Sequence, residues 1–249
     1  MGAKQSSKNS FLRFARLAGG CAGLWLLAGG VPAALASGSG KADWLPDPPE
    51  VKRFTWADKP CEGCRPLAPR PEWRAMAALA GAGEIRYMMA ASDESNGEAW
   101  SAAPNMVVLS PSALTRSDCQ VAFLVGHELV HIARRHFDED AHELMVLSGK
   151  PASWTHDGNR VMALLDGSFS LALRMSSTWQ QQEWEADWIG SLLAAQAYGC
   201  SLEKGALSYF GEDGGYGGGL AAAHDTHAKR MALLLPFAES ARRLARRQY

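Results

Sequence analysis

Two histidines and a glutamate fall within five residues in the run His127-Glu128-Leu129-Val130-His131. On a helix, residues four apart project from one face, one turn apart, so both imidazoles can grip a single ion. Glu128, one position on from His127, lies beside the ligands. There it can hold a water polarised by the ion, take its proton, and later return that proton to a leaving amine. Donors of this borderline-soft kind suit zinc, one Zn2+ per chain, which brings the pKa of its water toward about 7. The chemistry such a set could do is hydrolysis of a peptide bond by activated water.

A catalytic zinc takes three protein ligands and keeps one position open, so a third must come from elsewhere in the chain. The best source is Glu183-Trp184-Glu185-Ala186-Asp187. Glu183 and Asp187, four apart, share a helix face. Glu183 can complete the metal set, and Asp187 can accept a hydrogen bond from the far nitrogen of a ligating histidine, fixing its tautomer. Glu185 is turned roughly 160° from that face if Asp187 lies on it, which reads as a structural place. Trp184 and Trp188 read as core or pocket wall.

These side chains need rigid elements to carry them. Asp118 is a plausible N-cap for a helix running to about His136, and the apolar stretch Val121 to Val125 makes it a buried one. A second long helix is expected from about Ser168 to Tyr198, preceded by Gly167 and ended by Gly199. Residues 73 to 82 read as helical. Ile85 to Ala91 and Met106 to Ser110 read as strands, with a polar turn around Asp93 to Gly97. A run with six glycines from Gly211 to Gly219 reads as a flexible loop, and a last amphipathic helix covers about 225 to 247.

The run His127 to His131, with Arg134-Arg135-His136 behind it and Glu183-Trp184-Glu185-Ala186-Asp187 downstream, resembles the gluzincin family of the type I CaaX prenyl endopeptidase, HtpX and BepA. Asn105 to Leu114 is similar to that family's strand and turn before the catalytic helix, and the resemblance spans roughly residues 79 to 235. It implies zinc ligands His127, His131 and Glu183, catalytic Glu128, and Asp187 behind the ligands. The fold class then expected is α+β, zincin-like, with a small sheet packed on several helices and the metal between the two long ones. The family often carries His-Pro near an arginine after its loop. Here the run is Asp225-Thr226-His227-Ala228-Lys229-Arg230, so the proline is replaced and the spacing shortened. His227 or Arg230 could steady the oxyanion of a tetrahedral intermediate. The plain alternative for Arg230 is a charge on the helix surface. For His227, it is a residue that caps or packs against the last helix. Because His224 and His227 follow the glycines, that segment is also a candidate lid, with His227 able to swing onto the ion.

Composition sets the class and the compartment. Hydrophobic residues at 47% and charged residues at 20% fit an ordinary globular chain of 249 residues. A net charge of -1 gives no basic excess for nucleic acid. Lys4, Lys8, Arg13 and Arg16 precede an uncharged stretch from Leu17 that ends in Ala34-Leu35-Ala36, the pattern of a signal peptide over residues 1–36. An uncleaved anchor is the alternative. Residues 37–72 form a proline-rich extension, an extended strap on the domain or leading into it, and 73–249 the metallopeptidase domain. No spanning segment is expected after the leader. Beyond Cys21, four cysteines remain, and an even number in an oxidising compartment suggests two disulfides. The favoured pairing is Cys61–Cys64 and Cys119–Cys200.

The expected activity is that of an exported zinc endopeptidase, periplasmic or membrane-associated, acting on unfolded or misassembled envelope proteins. An extended substrate is expected to add as an extra strand beside Met106, Val107, Val108 and Leu109. The rivals are a non-catalytic envelope chaperone or assembly factor, and a structural zinc protein with His227 as a fourth ligand. Envelope assembly partners fit the same reading.

Overall fold

A computed structural model describes residues 40–58, 61–93, 98–212 and 225–246. The leader expected over 1–36, the turn residues 94–97, the glycines from Gly214 to Gly219 and His224 lie outside the described residues. The fold class is α+β, as expected: one small sheet with helices packed on it.

The sheet has four strands in the order β1-β2-β4-β3. These are β1 (Arg65–Pro66), β2 (Arg86–Met89), β3 (Ala99–Ala102) and β4 (Met106–Leu109). β2 runs parallel to β4, while β1 and β3 are antiparallel to their neighbours. β4 is buried along its whole length and alternates between two cores. Val107 and Leu109 face the main core, and Met106 and Val108 face a smaller one with Ala90, Trp100 and the Cys61–Cys64 disulfide. This corrects the expectation that a substrate strand adds beside Met106, Val107, Val108 and Leu109. Both edges of β4 are already paired, one to β2 and one to β3, so its backbone groups are committed within the sheet. β3, which the alternation of the sequence did not reveal, forms an edge, and no further strand pairs with it among the described residues.

The helices follow their local signals. α1 (Pro71–Ala80) starts on Pro71, whose fixed φ suits a first turn, and stops at Gly81 in a left-handed C-cap. α2 (Asp118–Ala133) is capped by Ser117, not Asp118: Ser117 accepts from the Gln120 backbone N–H, and the Gln120 side chain accepts from Ser117 N–H in return. α2 does not run on to His136. The chain breaks at Arg134–Arg135, where Arg135 takes φ 60°, and α3 (His136–Leu147) starts in a new direction. After α4 (Gly158–Met162) comes α5 (Phe169–Tyr198), thirty residues long and closed by Gly199 at φ 68°. A widened turn at Glu203–Leu207 leads into α6 (Ser208–Glu212), so Gly211 sits in a helical turn rather than in a loop. α7 (His227–Arg246) is the last helix. Among the described residues, no helix is long and apolar enough to cross a membrane.

The main core gathers Trp73 and Met76 of α1, Phe123, Val125 and Leu129 of α2, Ile189 and Leu193 of α5, Phe210 of α6 and Leu234 of α7. The proline-rich strap is part of the packing. Ala42 and Leu45 enter this core, while Phe54 enters a second core with Leu144, Met145 and Met175. Asp138 ties the strap down by accepting from the Phe54 backbone N–H at 3.1 Å and from Trp56 Nε1 at 3.0 Å. Cys119, at the start of α2, is bonded to Cys200, just past the end of α5.

Candidate metal centre

α2 and α5 cross on two glycines. A Cβ on Gly126 would fall 2.6 Å from the Gly190 carbonyl oxygen, and one on Gly190 would fall 2.6 Å from the His127 backbone nitrogen. No larger residue allows this approach. It brings the first turn after Gly126, with His127 and His131, opposite the part of α5 that carries Glu183 and Asp187.

There the donors converge. His127 Nε2 and His131 Nε2 are 3.1 Å apart. Glu183 places Oε2 at 3.3 Å from His127 Nε2 and Oε1 at 3.3 Å from His131 Nε2. Among the described residues, His127, His131 and Glu183 are the one group of three whose ligand atoms lie within 4.8 Å of one another. Ligands about 2.0–2.1 Å from a tetrahedral ion would stand about 3.3 Å from each other, and each of the three donor-to-donor approaches, with one Glu183 oxygen on each histidine, is close to that spacing. Two imidazoles and a carboxylate are also the donor types a zinc-like dication takes, so the residues fit a metal. Glu128, 7% exposed, has Oε1 4.0 Å from His127 Nε2, beside the group rather than in it.

The local charge points the same way. Burial opposes the charged form of His127, but Glu183, Asp187 and Glu128 outweigh it and lift the ring to about 10. A centre that holds a proton this tightly carries negative charge that a cation neutralises.

Asp187 and Arg230 stand behind His127. Asp187 is fully buried and lies 3.0 Å from His127 Nδ1, which leaves Nε2 to face the donor group. Arg230 holds the same carboxylate with two hydrogen bonds, Nε to Oδ2 at 2.7 Å and Nη2 to Oδ1 at 2.5 Å. Burial opposes ionisation of Asp187, but Arg230 and His127 overcome it and keep the carboxyl below its usual range. Arg230 is 8% exposed, with its guanidinium over the Phe210 ring, so the surface-charge reading does not hold. Nη2 also lies 3.4 Å from Glu183 Oε2, which ties Arg230 to two residues of the centre. His227 is buried at the start of α7 against Tyr209 and Phe210, ring centroids 5.6 and 5.1 Å away. It is not among the three converging ligands.

Other residues at the centre were not given a role by the motif. His136 Nδ1 is 3.0 Å from His131 Nδ1. On an unbroken helix, the fifth residue on would point about 140° away round the axis. The left-handed turn at Arg135 brings His136 back, and Asp138 holds that turn by pairing with the Arg135 guanidinium at 2.6 and 2.8 Å. Burial pushes the His136 ring down to about 4, so it is neutral at ordinary pH. Glu185 is buried, as its structural reading implied, but its partners are specific: Arg134 Nε at 2.5 Å and His136 Nε2 at 3.5 Å. Trp188 packs against the main core and stacks on Phe237 at 4.3 Å, as a wall residue should.

Comparison with known families matches residues 71–236 to peptidase family M48. That span takes in β2 to β4, α1 to α6 and the first half of α7, to Pro236. No curated protein and no solved structure gave a significant match. The matched span exceeds half of the chain, and with the donor geometry described above, the chain belongs to peptidase family M48, a family of metallopeptidases.

Proposed function

We propose that this metallopeptidase is an exported, zinc-dependent endopeptidase acting on unfolded or misassembled proteins of the cell envelope. The observation that carries the reading is the convergence of His127, His131 and Glu183 with the Glu128 carboxylate next to them. A purely structural metal site has no use for that carboxylate, which argues against the chaperone and structural-zinc alternatives. Zinc is the metal expected of the family and of this donor set. Export is supported by the basic and then apolar leader ending at Ala36, and by two disulfides.

When bound, zinc supplies a Lewis acid that polarises a water and the scissile carbonyl. Glu128, beside the donor group, would take a proton from the attacking water as the water oxygen bonds to the carbonyl carbon. The same carboxyl gives the proton to the amine nitrogen as the C–N bond breaks. Asp187 keeps the His127 ring in the tautomer and orientation that leave Nε2 free, and Arg230 keeps Asp187 ionised. Arg230 thus acts through Asp187, as a positioning residue. An extended substrate adds to β3, the edge strand that lies against α2, and pairs through its backbone with tolerance for many side chains.

The test is cleavage of casein and of a misfolded envelope protein by residues 37–249, beside Glu128→Gln. The variant is expected to keep its zinc and its fold and to lose at least about a hundredfold in turnover. Equal cleavage by both proteins, or none by the wild type with zinc bound, overturns the reading; the second result favours the chaperone.

A further inference from the structure

The two histidines of the donor group are braced differently. His127 leans on a carboxylate, Asp187. His131 meets another imidazole, with His136 Nδ1 at 3.0 Å from its Nδ1. Of two facing nitrogens, one must donate and the other accept. Because His131 turns Nε2 to the converging group, its proton belongs on Nδ1 when a cation is held. His136 Nδ1 is then the acceptor, and the His136 proton sits on Nε2, which faces Glu185 Oε2 at 3.5 Å. Glu185 is gripped at Oε1 by Arg134 Nε, and Arg134 Nη1 donates to the backbone carbonyls of Pro46 and Asp47 in the strap. Arg134 thus donates both to the strap and to Glu185, and Glu185 Oε2 faces His136 Nε2 across 3.5 Å without a hydrogen bond between them.

We infer that His136 is the positioning residue for His131, fixing the tautomer and ring angle of that ligand through its Nδ1 lone pair, with the Glu185 carboxylate, gripped by Arg134, facing its far nitrogen. The inference rests on the reading of His127, His131 and Glu183 as metal ligands. A neutral acceptor suits this side of the centre. Glu128, Glu183 and Asp187 already put three carboxylates around the two rings, and a fourth would need a cation of its own. His136 is 1% exposed, too deep for water to replace it as acceptor. The turn at Arg135 is what aims it, so the left-handed residue between the two helices is part of the same device.

The experiment compares zinc affinity, by competition with a chromophoric chelator, in the wild type and in His136→Asn, His136→Gln and His136→Leu. Asparagine places an amide oxygen near the lost Nδ1, glutamine near the lost Nε2. The expected result is a loss of about 10–100-fold in His136→Gln and His136→Leu, with His136→Asn close to the wild type. The visible bands of the cobalt-substituted proteins report ligand geometry and should shift in the glutamine variant but not in the asparagine one. If His136→Leu fails to fold, the asparagine–glutamine contrast still decides. Equal affinity in those two variants, whether both unchanged or both weakened, overturns the role of His136 while leaving the metal site standing. A folded wild type without zinc affinity overturns the ligand reading itself, and this inference with it.

Discussion

Gly126 of α2 and Gly190 of α5 meet backbone to backbone, and each leaves room only for hydrogen on the other's side. Because the donors are divided between the same two helices, this contact sets the gap that the metal must bridge. Gly190→Ala should force the helices apart, lower stability by about 1–3 kcal/mol and weaken zinc binding. Gly199→Ala is the control. Gly199 sits at φ 68° with open space around it, so alanine there strains the backbone by about 1 kcal/mol without touching the crossing. Urea unfolding with chelator competition separates the two outcomes: both variants lose stability, and only Gly190→Ala loses zinc.

Asp187 and Arg230 form a buried pair whose halves cannot be removed singly without cost. Arg230→Met leaves a fully buried carboxylate with His127 but without its guanidinium and should destabilise the fold by about 3–5 kcal/mol. Adding Asp187→Asn should recover part of that stability. Neither variant should show wild-type zinc affinity, because Arg230→Met weakens the ionisation of the Asp187 carboxyl behind His127 and Asp187→Asn removes that carboxylate. A double-mutant cycle on unfolding free energy checks the coupling, and strict additivity would refute it.

How far the sequence reached depended on how local the determining physics was. The buried catalytic helix, the long α5 and its end at Gly199 follow from periodicity and capping, which act over a few residues. The grouping of His127, His131 and Glu183 rests on side chains at helical spacing, and the structure brings those residues together. What stayed hidden depends on contacts distant in sequence. β3 has four short residues with no clear alternation, and it exists because β4 offers it an edge. A continuous α2 would point His136 away from His131, and only the left-handed Arg135 redirects it. Arg230 could not be told from a surface charge until α7 was seen packed over α5. The strap's prolines marked extended chain, yet nothing in them announced that Arg134 would hold Pro46 and Asp47.

Asp140 gives the fold a pH dependence of its own. Burial lifts its carboxyl from 3.8 to about 8, although Gln182 donates to it at 3.0 Å. Between those values the folded chain keeps a proton that the unfolded chain has released, so this group's contribution to stability falls as pH rises from about 4 to about 8. Asp140→Asn keeps an acceptor for Gln182 and removes the titration. Urea unfolding at pH about 5 and about 8 should show the variant less sensitive to pH and gaining on the wild type at the higher value. Parallel profiles for the two proteins would show that Asp140 ionises normally.

The two disulfides should differ in weight. Cys119–Cys200 closes 81 residues and spans the two metal-bearing helices, so its removal should cost about 4 kcal/mol in the chain-entropy account. Cys61–Cys64 closes a loop of three and should matter much less. Unfolding of Cys119→Ser/Cys200→Ser and Cys61→Ser/Cys64→Ser double variants measures the contrast. Equal losses would mean that the short bridge holds the sheet edge more firmly than loop size implies.

Arg230 also gives the order of synthesis a meaning. His127, His131 and Glu183 emerge from the ribosome well before the guanidinium that neutralises Asp187. Until α7 docks, the carboxylate behind His127 has no cation and little reason to enter the interior. An unfinished chain, or one cut ahead of α7, therefore carries the whole ligand set without a settled place for it. The last helix is thus what finishes the setting of a ligand set that lies wholly upstream of it.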